Sequence, residues 1–206
     1  TLTMKKIISA VLFCAPLSAL AADATVDLTF KGTLTAPTCT ASFTGSSGVD
    51  IAFGSLNASD IVGKAEGTIV PAAPVKNVSL KFSGCNSITN IKVNFVGAST
   101  SGYGFVRKAV NFRDTSDRES GLGVALLKNA DSTSTDDAVY VSADKAGEPT
   151  VLSLATLAKT GEVYTWPLYA KMVVTKNSLL KDSAAVNTNS AGKDLKADVY
   201  ANIVYD

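Results

Sequence analysis

Alternation with a period of two dominates this chain, and runs at helical spacing are scarce. Val78, Leu80 and Phe82 alternate with Ser79, Lys81 and Ser83, and Gly84 shifts the phase before Cys85. Ile91, Val93 and Phe95 alternate with Lys92 and Asn94. Leu122, Val124 and Leu126 form another face, and Trp166, Leu168, Ala170, Met172 and Val174 a longer one. Short period-two runs separated by Gly, Ser, Asn and Asp clusters predict an all-β domain, a sandwich or a barrel. Gly97 to Gly121 and Asn129 to Asp137 are polar and read as surface loops, while residues 150–160 admit a short helix. There is no internal repeat, and a second domain is not expected.

The two ends carry the clearest patterns. Leu195, Ala197, Val199, Ala201, Ile203 and Tyr205 hold one phase without a slip, against Lys196, Asp198, Tyr200 and Asn202. This predicts a strand with one buried face. Near the other end Val26, Leu28 and Phe30 alternate with Asp27, Thr29 and Lys31, and Leu34 and Ala36 keep that phase across Gly32. Pro37 interrupts, and Cys39, Ala41 and Phe43 continue on odd positions. A phase change at a proline predicts two separate extended segments, which need not share a sheet. The plain reading of residues 24–34 is an edge strand of its own domain. An amphipathic strand without a partner would be an aggregation hazard unless something received it.

A different pattern precedes these strands. Lys5 and Lys6 lead an apolar run from Ile7 to Leu20, which ends in Ala19-Leu20-Ala21. This is the layout of a cleaved secretory signal at residues 1–21, with residues 1–3 upstream of the true start at Met4. The run is shorter than the roughly 20 residues of a membrane anchor and contains Pro16. The mature chain would begin at Ala22, so that 185 of the 206 residues remain.

Composition then narrows the function classes. The chain has no histidine, which excludes a Ser-His-Asp triad, a Cys-His pair and any His-bearing metal site. Loss of Lys5 and Lys6 takes the formal charge from +1 to −1, too small in either case to suggest nucleic acid as a partner. Loss of Cys14 leaves Cys39 and Cys85, an even pair in an oxidising compartment, where a disulfide is expected. Trp166 reads as core packing in preference to a sugar-stacking platform. Arg113, Asp114, Asp117, Arg118 and Glu119 read as ion pairs within a loop. Asp131, Asp136 and Asp137 lack the spacing of a calcium loop. No catalytic residue, metal or cofactor is expected.

The segment Val26-Asp27-Leu28-Thr29-Phe30-Lys31-Gly32, with a cysteine seven residues after that glycine, resembles the pilins of chaperone–usher fimbriae, such as type 1 and P pilus subunits. Phe82-Ser83-Gly84-Cys85, Gly121-Leu122-Gly123-Val124-Ala125-Leu126, Leu168-Tyr169-Ala170-Lys171-Met172 and the penultimate Tyr205 are similar to further motifs of that family. One departure is Val26, which stands where many pilins carry a glycine.

The resemblance implies an incomplete immunoglobulin-like sandwich, missing its last strand, over residues 37–206, with an N-terminal donor-strand extension over residues 22–36. Val26, Leu28, Phe30 and Leu34 would be the donor-strand side chains. Val199, Ala201, Ile203, Tyr205 and Asp206 would form the C-terminal strand that a periplasmic chaperone and an outer-membrane usher recognise, with the chaperone's basic residues on the carboxylate of Asp206. Neighbouring subunits would join by strand addition into a non-covalent polymer on the cell surface with a role in adhesion. A minor subunit with its own glycan- or receptor-binding activity is the alternative, though the stretch before Cys39 is too short for a separate lectin domain. A small outer-membrane β-barrel is a third class, disfavoured by short apolar runs and by 7% aromatic content.

Overall fold

A computed structural model describes residues 26–33, 39–43, 48–97, 108–142 and 148–206. The signal segment, Cys14, Leu34 and Ala36 lie outside the described residues. The strands are β1 (Val26–Thr33), β2 (Thr40–Phe43), β3 (Gly48–Gly54), β4 (Lys76–Asn77), β5 (Leu80–Ser83), β6 (Asn90–Gly97) and β7 (Val110–Arg113), then β8 (Glu119–Leu127), β9 (Val141–Ser142), β10 (Thr150–Ser153), β11 (Ala158–Thr160), β12 (Val163–Trp166), β13 (Tyr169–Val174) and β14 (Leu195–Tyr205). One short helix, α1 (Ser183–Asn189), precedes the last strand.

These strands form two sheets packed face to face, an all-β sandwich of immunoglobulin-like type. The smaller sheet has the order β11-β12-β5-β2. The larger has ten strands along β10-β6-β14-β7-β8-β13-β4, with β1 on the other side of β14, β3 beyond β1, and β9 beside β6. The alternating residues named above supply the core. Phe43 and Phe82 from the smaller sheet face Phe53, Phe95 and Phe112 from the larger, all fully buried. Trp166 is 7% exposed and lies 6.0 Å from Phe95, ring centre to ring centre. Outward positions such as Lys196, Asp198 and Tyr200 are exposed and mostly polar. Apolar inside and polar outside is the reverse of the pattern a membrane barrel with a water-filled lumen requires.

At two points a proline in the sequence separates strands of different sheets. The single alternating run from Trp166 to Val174 is two strands: β12 ends at Trp166 in the smaller sheet, and β13 starts in the larger. Pro167 between them has no N–H for either ladder, and Val78 N–H donates to the Leu168 carbonyl across the switch (2.9 Å). The phase change at Pro37 likewise separates β1 in the larger sheet from β2 in the smaller.

One local expectation needs correction. The polar stretch from Gly97 to Gly121 is not all loop, since β7 and the start of β8 lie within it and residues 98–107 are outside the described residues. Two of its polar residues are buried with partners: the Asn111 side-chain amide donates to Glu119 (3.0 Å), and the Ser120 hydroxyl donates to the Phe112 carbonyl (3.0 Å). The short helix expected within residues 150–160 is a 3-10 turn, Leu154–Thr156, between β10 and β11. Among the described residues the one α-helix is α1, which is capped by the Asp182 carboxylate accepting from Ala185 N–H (2.8 Å) and buries Val186.

Candidate functional site

Strand β1 is not an edge strand. It is hydrogen-bonded on both sides, parallel to β14 and antiparallel to β3. Against β14 the register is Val26 to Leu195, Leu28 to Ala197, Phe30 to Val199 and Gly32 to Ala201. Against β3, Val26 faces Gly54, Leu28 faces Ile51 and Phe30 faces Val49, with a bulge between Val26 and Asp27. The side chain of Leu28 is fully buried in the main core, where its burial contributes about 1.5–3 kcal/mol. On the outer face the Thr29 hydroxyl donates to the Asp50 carboxylate (2.9 Å).

The slot that β1 fills is defined by its two neighbours. Leu195, Ala197, Val199, Ala201 and Ile203 of β14 point inward and are all buried, as are Ile51 and Phe53 of β3. Among the described residues β3 pairs with no strand other than β1. Removing β1 would therefore leave one edge of β14 open over Leu195–Asn202 and detach β3 from its ladder. Unpaired backbone donors and acceptors beside an exposed apolar floor are a template for any strand of matching alternation.

The end of β14 is tied to β6, with Ile203 opposite Val93 and Tyr205 opposite Ile91. Asp206 pairs through its side chain with Lys92 at 2.5 Å, and its N–H donates to the Asn90 carbonyl (3.1 Å). Tyr205 is half-buried and its hydroxyl has no partner among the described residues; burial raises the pKa of that phenol.

A disulfide joins Cys39 to Cys85, across a sequence separation of 46. It fixes the start of β2 to the residue that follows Gly84, whose φ of 65° ends β5. Cys39 is thus the fixed base from which residues 34–38 lead back to β1. Six Cα steps span at most about 20 Å, which sets the radius within which β1 can find a slot.

The other residues singled out from sequence have structural roles. Arg113 pairs with Asp117 and Glu119, and Arg118 with Asp114. Lys176 reaches Glu119 and Lys193 reaches Asp114, so the β7–β8 turn is also held from just past the end of β13 and from the approach to β14. Asp137 accepts from the Asn129 amide (2.8 Å) and from the Ser132 hydroxyl, which lowers its pKa and folds the 129–137 turn around it. Among the described residues no group of three or more His, Cys, Asp or Glu is placed to hold a metal ion.

Sequence reasoning missed β3 as a wall of the slot. Its signal was the alternation Val49, Ile51, Phe53, three residues long and bounded by glycines. Neither a protein-family model nor a curated protein sequence matches the chain.

Proposed function

We propose that this chain is a subunit of a surface fimbria of the chaperone–usher type, which polymerises when the β1 segment of one copy enters the slot between β3 and β14 of the next. The observation that carries this reading is the position of β1 itself. An amphipathic segment close to one end of the chain completes a sheet that has a gap without it, and Leu28 is its buried anchor. Main-chain hydrogen bonds to two strands supply affinity, and alternate side chains supply register. Such a link is heterologous and does not close on itself, so its natural product is a filament.

In the single chain the slot is filled by the chain's own β1. Assembly on this reading is an exchange, in which β1 leaves its own slot and the next copy's β1 takes its place. A chaperone strand that holds the slot open until an usher presents the next subunit fits that requirement, and so does the unbroken alternation of the C-terminal strand from Val199 to Tyr205. Adhesion would follow from the surface location of the polymer.

The test is expression of the full chain and of a variant lacking residues 26–33 in a host with the secretion and assembly machinery. Surface extracts run on a gel without boiling should give the full chain as a ladder that collapses to monomer on strong heating. The deletion variant should be absent from the body of the polymer. Incorporation of the deletion variant at the level of the full chain would overturn the reading.

A further inference from the structure

Lys171 is 7% exposed, on the outer face of β13, away from the main core. Ala170, Met172 and Val174 point into the sandwich, so Lys171 should face water, but the segments 66–75 and 129–137 fold over it. Its ammonium donates one hydrogen bond, to the Ser132 carbonyl at 2.8 Å. Among the described residues no carboxylate lies within 4.0 Å of it. A buried ammonium carries three donors, and one neutral acceptor leaves most of its desolvation cost unmet. The lysine also lines an open pocket of about 740 Å³, within the size range of small-molecule sites. Ile69, Val70, Pro71 and the exposed Val75 form an apolar wall, and Thr133 and Ser134 bring hydroxyls to the opposite side.

We propose that this pocket binds a small monocarboxylate, with the carboxylate on Lys171 and an uncharged ring or chain along Ile69, Pro71 and Val75. The free donors of Lys171 call for an anion, and a charge-assisted hydrogen bond in a partly dry site is the strongest contact on offer. Glu66, which accepts from Asn177 N–H (3.2 Å), and Asp131 also line the pocket; they oppose any anion, and ligands of higher negative charge more strongly than a monocarboxylate held on Lys171. The site lies on the outer face of β13 and does not involve β1, so it stands whether or not the chain polymerises.

The experiment is a titration of the isotope-labelled full chain with cyclohexanecarboxylate, followed by backbone and methyl chemical shifts, beside the neutral isostere cyclohexanecarboxamide. The carboxylate should give saturable shifts at Ile69, Val70, Thr133 and Lys171, and the carboxamide should bind at least about tenfold more weakly. Lys171→Met should weaken the carboxylate by a similar factor, and Lys171→Arg should retain it. Equal shifts from both compounds, no saturation, or undiminished binding to Lys171→Met would each overturn the proposal. If Lys171→Met does not fold, the comparison of the two compounds on the unaltered chain decides alone.

Discussion

Leu28 of β1 and Ala197 of β14 lie side by side in a parallel register, and both are buried. A large side chain against a small one is how facing strands interdigitate without a void. Truncation at Leu28 should therefore leave a cavity that Ala197 cannot fill. Leu28→Ala is expected to cost about 2–5 kcal/mol, read as a shift in the urea midpoint at constant slope. An unchanged midpoint would mean that β1 does not occupy its slot in solution.

Thr29 and Asp50 face each other across β1 and β3. Cysteines at both positions should form a bond within one chain in the isolated monomer, visible as faster migration on a non-reducing gel. In a polymer held by the neighbour's β1 in the same register, the same pair should join two chains. A doubly substituted chain that stays reduced in both states would contradict this register.

How far the sequence could be read follows from what alternation encodes. A period of two says which face is buried, and it identified the inward residues of β14 and the core positions of β5, β6 and β8 correctly. It says nothing about partner or direction. The parallel pairing of β1 with β14, and the passage of β12 into β13 across Pro167 without a phase change, were therefore hidden. Strand β7 was obscured because Asn111 and Arg113 are polar, and their partner Glu119 lies on another strand. Lys171 lies out of phase with the inward face of β13, and the two segments that cover it come from distant parts of the chain.

Cys39 and Cys85 close a loop with a separation of 46. In the chain-entropy account a crosslink of that span stabilises by about 4 kcal/mol. Replacement of both cysteines by serine should lower the unfolding free energy by about that amount at 25 °C, and it should loosen the base of β1. A doubly substituted chain as stable as the parent would show that the reduced, unfolded chain is already constrained.

Two glycines of β8 sit where no larger residue fits. A Cβ on Gly123 would lie 2.5 Å from the Val110 carbonyl oxygen and 2.6 Å from a methyl carbon of Thr175. At Gly121 it would meet the Lys176 carbonyl at 2.8 Å, on a backbone with φ of +85°. Alanine at either position should destabilise by about 1–3 kcal/mol, since the shortest contact at each is with a backbone oxygen that cannot turn aside. Thermal melts of the two single variants test this, and a neutral effect at Gly123 would show that β7 and β8 are less closely apposed.

Asp114 organises the β7–β8 turn, and its side chain is almost wholly buried. Its carboxylate accepts from the backbone N–H groups of Arg118 and Ser116, from Arg118 Nε and from Lys193 Nζ, at 2.9–3.2 Å. The Arg118 backbone N–H, with help from Lys193, Ser116 and the Arg118 side chain, holds this carboxyl well below its ordinary value of 3.8, against the opposing effect of burial. A carboxyl whose pKa is depressed in the folded state binds its proton more readily when unfolded. Its stabilisation is therefore complete above the ordinary value and is lost as pH falls below it toward the folded value. Asp114→Asn removes the charge and turns an amide N–H₂ toward donors. The variant should melt below the parent at pH 7, and the gap should narrow steadily in strong acid. A gap that stays constant from pH 7 to pH 2 would show that Asp114 acts through shape and not through charge.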